Sequence, residues 1–242
     1  FHYIKKQLLF TTSEKINRTT IKHLVIMKAL VIGSTGATGT ELTKQLIEQE
    51  EFTEVHVFVR NVPSINHPKL NVHKVDFNEI SFWSDQLKGD VLFLAMGTTL
   101  KTAGSKEAQY KVDVTYQYET AKAAANNNVP KLILVSSIGA NHNSIFFYPK
   151  IKGKLEEMVK KLNFKSICIL RPPVLDRGEA MMRPSERKTI AFIKRLNKFG
   201  LLDSQKPMTT LLLANKMILL ATKETIHKTI NLEAKEIFSL TN

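Results

Sequence analysis

The stretch that decides the fold runs Met27-Lys28-Ala29-Leu30-Val31-Ile32-Gly33-Ser34-Thr35-Gly36-Ala37-Thr38-Gly39. Its first half ends in an apolar run of strand length, and a helical pattern occupies Thr38 to Gln49 immediately after it. Three glycines spaced Gly-x-x-Gly-x-x-Gly therefore sit in a strand-to-helix turn, the context in which such a spacing carries meaning. One glycine permits the tight turn, another lets backbone amides approach a pyrophosphate, and the last lets the helix pack closely. The helix N-terminus favours the negative charge. Gly33, Ser34, Thr35, Gly36, Ala37, Thr38 and Gly39 are accordingly predicted to hold a dinucleotide.

Outward from this loop the chain alternates apolar runs with helical patterns, the rhythm of βαβ units. Strands are predicted at Lys28 to Ile32, Glu54 to Val59, Asn71 to Val75, Asp90 to Met96, Lys131 to Ser136 and Ser166 to Arg171, with an edge strand at Thr229 to Leu232. Helices are predicted near Thr38 to Gln49, Ser105 to Asn126, Pro149 to Leu162, Glu186 to Phe199 and Thr210 to Thr222. The fold class is α/β, a doubly wound parallel sheet. Residues 27–242 are expected to form one domain, in which 172–242 contribute a small substrate-side lobe. Asp176 to Lys188, polar and methionine-containing, is expected to be a substrate lid. Residues 1–26 carry five basic residues against one acid, Glu14. They read either as a non-native leader or as a transit peptide, and lie outside the core in both readings.

Composition excludes several classes. With 242 residues and 43% hydrophobic content the chain can bury one substantial core, and no run of eighteen apolar residues suggests a membrane span. The formal charge of +13 is scattered, and its densest clusters, 150–154 and 183–195, lack interleaved aromatics, so a nucleic-acid face is not expected. The single cysteine, Cys168, lies in an apolar strand pattern and demands no oxidising compartment; a cytoplasmic location is expected. The seven histidines show no metal-ligand spacing and read as surface or loop residues. The expected partner is a small-molecule substrate, with neither nucleic acid nor membrane, for a monomer or homodimer.

The end of the second strand decides between the two nicotinamide cofactors, because it reaches the adenosine ribose about 20 residues after the glycine loop. Here it reads Val57-Phe-Val-Arg60-Asn61. An acid would bind both ribose hydroxyls, whereas Arg60 offers a fork to a 2′-phosphate, which favours NADP over NAD. Asp76, after the third strand, is a candidate for the adenine amino group or, equally, a turn-former.

Ligands of a doubly wound sheet lie over the C-terminal strand ends. Those ends are Met96-Gly97-Thr98-Thr99, Ser136-Ser137 and Arg171-Pro172-Pro173. Downstream, Tyr148 and Lys152 are four apart and share a face if that turn is helical. A phenol ordinarily titrates near pH 10, and a neighbouring ammonium brings it toward acid–base use. Ser137 is placed to orient a substrate carbonyl. Because Pro149 follows Tyr148, the tyrosine is expected at the helix boundary, with Pro149 at the first helical position. The serines are not in a Gly-x-Ser-x-Gly elbow, which argues against a hydrolase.

At these residues the chain resembles the atypical, extended-like short-chain dehydrogenase/reductases, and most closely the oxidoreductase family of the Tat-interacting protein. The resemblance spans about Met27 to Thr222. It rests on the glycine loop, Met96-Gly-Thr-Thr99 with Ala103-Gly104, Tyr110-Lys-Val-Asp113, Val135-Ser-Ser-Ile-Gly-Ala140, Tyr148-x-x-x-Lys152-Gly153 and Leu170-Arg-Pro-Pro-Val-Leu175. It implies an NADP-binding Rossmann fold in which Ser137, Tyr148 and Lys152 take the Ser-Tyr-Lys roles. It further implies that Gly97, Thr98, Pro172, Pro173 and Val174 line the cofactor, with Met96 and Arg171 beside them, and that Lys152 also binds the nicotinamide ribose. The resulting expectation is an NADP-dependent oxidoreductase acting on a small carbonyl or alcohol. A catalytically weak NADP-binding regulator is the alternative. Sugar-nucleotide epimerisation ranks last, since about 70 residues after Arg171 leave little room for a substrate domain.

Overall fold

The computed structural model describes residues 26–178, 190, 206–223 and 228–241. All but Ile26 of the predicted leader, most of the lid and all but Ile190 of the Glu186 to Phe199 helix lie outside the described residues. Seven parallel strands form the central sheet: β1 (Met27–Ile32), β2 (Phe52–Val59), β3 (Leu70–Lys74), β4 (Val91–Leu94), β5 (Lys131–Val135), β6 (Ser166–Arg171) and β9 (Thr229–Glu233). Their order is β3-β2-β1-β4-β5-β6-β9. A separate two-stranded ladder pairs β7 (Leu175–Asp176) with β8 (Met208–Thr209). The helices are α1 (Ala37–Glu48), α2 (Leu100–Ala103), α3 (Lys106–Tyr110), α4 (Tyr116–Asn126), α5 (Phe147–Val159), α6 (Thr210–Thr222) and α7 (Ala234–Ser239).

The inner strands β1, β4, β5 and β6 read as apolar runs rather than alternating patterns because helices cover both faces of the sheet, whereas the edge strands β3 and β9 are mixed and more exposed. On β1, Ala29 and Val31 enter one core with Leu42 and Leu46 of α1 and Leu213 and Met217 of α6. The intervening Leu30 and Ile32 enter the other, with Ala121 and Ala124 of α4 and Ile151 and Leu155 of α5. Cys168 of β6 is buried in the first core, as a strand residue with a small apolar side chain should be. Strand order reverses on either side of β1, since the chain runs outward through β2 and β3 and then returns to β4. That reversal opens a crevice at the C-terminal ends of β1 and β4, where doubly wound sheets take their ligands.

The predicted Ser105 to Asn126 helix is not uniform. Between α3 and α4 the segment Lys111–Thr115 is a π-helical turn. Such turns insert a residue into the helical repeat and re-aim the side chains they carry, commonly at functional sites. No apolar periodicity signals the insertion. The β7–β8 ladder and α7 are likewise too short to leave a periodic trace.

Candidate active site

Gly33 has φ +91°, and a Cβ placed there would lie 2.6 Å from the Met96 backbone nitrogen. Only glycine lets the end of β1 approach the segment after β4 this closely. A Cβ at Gly39 would overlap the Gly33 carbonyl, so the helix can pack onto the loop only without one. Helix α1 starts with Gly36 as N-cap, no side-chain cap and no acid in its first turn. Its first N–H groups therefore remain available to an anion. Gly33, Thr35 and Gly36 line the crevice, whereas Ser34 and Thr38 turn inward and are buried.

A cavity of about 480 Å³ extends from this loop to the end of β2, lined by Arg60, Asn61, Phe77 and Met96 to Thr98. Arg60 is exposed and makes no ion pair with a described residue. Asp76 does not line this cavity. Its Oδ1 accepts from the backbone and side-chain nitrogens of Asn78, each at 2.8 Å, and its carbonyl accepts from Trp83 Nε1 at 2.9 Å. Of its two predicted roles, the turn is the one this geometry displays.

A second cavity of about 610 Å³ lies over β5 and β6 and shares Thr98 with the first. Ser137, Tyr148 and Pro172 to Val174 line it together. Ser136 is buried and donates its hydroxyl to Glu156, while the Ser137 hydroxyl is exposed, with a 3.3 Å contact to the Ile138 carbonyl. Tyr148 is 40% exposed. Helix α5 starts at Phe147, so Tyr148 lies inside its first turn and Pro149 at the third position rather than the first. The proline ring meets no helical carbonyl there and its missing N–H belongs to the first turn, so the helix continues without a break.

Lys152, one turn along α5, is 3% exposed and lines neither cavity. Its ammonium donates to the Val135 carbonyl at 3.2 Å and lies 3.9 Å from Asp113 Oδ1. Asp113 is wholly buried on the π turn, and its Oδ2 accepts from the Thr98 backbone N–H at 3.0 Å. Burial raises its pKa, and the Lys152 charge and the Thr98 hydrogen bond oppose that rise. Asp113 thus ties the Gly97–Thr98 loop, between the two cavities, to the lysine. Its motif was visible in sequence, but its role was not, because the π turn decides where its carboxylate points.

Arg171 occupies a different place from the one expected. Its guanidinium does not line the crevice; it forms a fork with Glu156, Nε to Oε1 at 3.0 Å and the second arm to Oε2 at 2.5 Å, and reaches Glu233 at 2.7 Å. These carboxylates, Glu156 first, raise its pKa further. The network clamps α5 to the ends of β5, β6 and β9, and so supports Ser137 and Pro172 from below. Two of the histidines depart from expectation, whereas His67 and the exposed His142 lie in loops as expected. His56 and His73 are strand residues, hydrogen-bonded at 2.8 Å in a chain that continues from Glu54 to Gln86. Among the described residues no group of His, Cys, Asp and Glu could hold a metal, and no helix is long and apolar enough to cross a membrane.

Comparison with known proteins agrees with this architecture. The fungal protein FMP52-1, mitochondrial, of Scheffersomyces stipitis is 38% identical over 154 residues, 62% of this chain and 67% of that protein. The chain thus spans about two thirds of the length of such relatives. Among solved structures, UDP-glucuronic acid 4-epimerase from Bacillus cereus in complex with NAD superposes with a TM-score of 0.61 at 17% identity, covering 87% of this chain and 78% of that one. A short-chain dehydrogenase/reductase superfamily protein from Agrobacterium tumefaciens, with bound NAD, gives 0.60 at 16% identity, covering 86% and 78%. At these identities the likeness concerns the fold. The expected cytoplasmic location is corrected by the fungal relatives, which are named as mitochondrial proteins. Compartment is set by sorting, on which the composition of a core domain is silent. The NAD(P)H-binding family model matches residues 33–188, from the glycine loop past both cavities, and the chain belongs to that family of Rossmann-fold proteins.

Proposed function

We propose that the protein is an NADP-dependent oxidoreductase that interconverts a small carbonyl compound and its alcohol. The observation that carries this reading is the joining of two cavities at Thr98. One is built around an uncapped helix N-terminus and Arg60; the other holds Ser137 and Tyr148. A nicotinamide cofactor fits this pair because an anion-binding loop, a cation at the β2 end and a second chamber follow one another along the sheet edge. When bound, the cofactor supplies the hydride donor or acceptor.

The chain's own residues do the rest. Ser137 donates a hydrogen bond to the substrate oxygen, and Tyr148 delivers a proton to that oxygen during reduction or removes it during oxidation. Lys152 places a positive charge below Tyr148, held by Val135 and Asp113. The resemblance of the motif string to the Tat-interacting-protein oxidoreductases supports the same assignment. The relatives' names support a mitochondrial location. A screen of aldehydes and ketones with NADPH and NADH tests the proposal. Cofactor-dependent turnover of at least one carbonyl is expected. Cofactor binding without turnover of any would instead support the regulator.

A further inference from the structure

The second cavity has walls of uneven chemistry. Leu100, Phe147, Pro173, Val174 and Leu175 make it predominantly apolar, and no described aspartate or glutamate lines it. Its charged lining residues are Lys106 and Arg177, both cationic. The Lys106 ammonium lies 5.5 Å from the centre of the Phe147 ring, and because Lys106 is an exposed lining residue its charge stands at the mouth of the cavity. Lys106 has no carboxylate within 4.0 Å among the described residues; Glu107, its neighbour in sequence, feels its charge but does not line the cavity.

Building on the oxidoreductase reading, we propose that the substrate is an apolar carbonyl compound carrying an anionic group, with Lys106 as the counter-charge. A neutral apolar ligand that covers the mouth strips water from this ammonium and returns nothing to it. An anion replaces that water with a charge-assisted hydrogen bond. The site therefore discriminates by what it leaves unpaired as well as by what it attracts. The carbonyl end then lies at Ser137 and Tyr148 and the anion at Lys106, with the apolar body between them. Reduction transfers hydride from NADPH to the carbonyl carbon and a proton from Tyr148 to its oxygen, giving the alcohol and NADP⁺.

Octanal and 8-oxooctanoate share a chain length and differ in the terminal carboxylate. The full chain with NADPH should favour 8-oxooctanoate in kcat/KM by about fivefold or more, the scale of a partly exposed charge-assisted contact. Lys106→Glu should bring the ratio below one. A ratio of one in the unaltered protein, or a ratio that Lys106→Glu does not move, overturns the proposal. A constant ratio with a raised NADPH KM would assign Lys106 to the cofactor instead. Calorimetric binding of octanoate and octan-1-ol to the NADP⁺-loaded protein ranks the same two chemistries without turnover. A protein that prefers octanoate yet reduces no carbonyl would refute the oxidoreductase reading while upholding the anion preference. Equal binding of the two refutes the anion preference alone.

Discussion

The ammonium of Lys152 lies 3.9 Å from Oδ1 of Asp113, and neither side chain exposes more than 3% of its surface. Two opposite charges are thereby set in the floor of the crevice, one on α5 and one on the π turn. Removing one partner of a buried pair costs more than the pair contributes, because the remaining charge stays desolvated. Asp113→Ala is expected to lower the unfolding free energy by about 3–5 kcal/mol in urea denaturation. A loss below about 1 kcal/mol would mean that the pair is solvated in solution.

The same carboxylate makes stability depend on pH. Burial raises the native pKa of Asp113 above its ordinary 3.8, so between those two values the folded chain holds a proton that the unfolded chain has released. Its contribution therefore favours folding at the acid side of that window and is lost as pH rises through it. Asp113→Asn, which retains an acceptor for Thr98 N–H, should flatten this part of the stability profile measured by denaturation at successive pH values. An unchanged slope would contradict the assignment.

His56 acts in the opposite sense. Burial lowers its pKa below 6.5, and the Lys28 and His73 charges add to that effect while Glu54 opposes it. Below that value the unfolded chain takes up a proton before the folded one, so stability is lost as pH falls through the window. His56→Gln should reduce acid sensitivity of the thermal midpoint between about pH 6.5 and the lowered native value. A midpoint with the same pH dependence would show that the histidine chain does not titrate in this range.

Much of this was legible in the sequence. Continuous apolar runs at Lys28 to Ile32 and Ser166 to Arg171 require a sheet covered on both sides, and the glycine spacing identifies its ligand edge. Arg171 was misplaced because a strand-end arginine serves a ligand and an ion pair equally well until the partner is known. Glu156, fifteen residues earlier on a different element, is that partner. Asp113 was present in a quoted motif, yet its reach to Lys152 depends on a π turn that leaves no periodic signature.

The Glu156 clamp has its own test. Glu156 is 1% exposed and accepts from Ser136 and from Nε and one terminal nitrogen of Arg171. Glu156→Gln keeps one acceptor but leaves Glu233 as the one carboxylate seen to pair with the guanidinium among the described residues, and an unfolding loss of about 3 kcal/mol is expected. A value within about 0.5 kcal/mol of the unaltered protein would mark the network as dispensable.

The proposed preference for NADP rests on Arg60. Titration of NADPH and NADH into the unaltered protein should show tighter NADPH binding, and Arg60→Ala should bring the two affinities together. Equal affinities before substitution would refute the preference and leave the family assignment untouched.

We propose that Tyr148 moves the proton in a cofactor-dependent carbonyl reaction. The direct measurement is the single-turnover oxidation of NADPH by a carbonyl substrate in the unaltered protein and in Tyr148→Phe, with NADPH affinity titrated for both. Removing an exposed hydroxyl leaves the packing of α5 in place. The rate is expected to fall by about 100-fold or more while NADPH affinity is retained, and an unchanged rate would contradict the assignment.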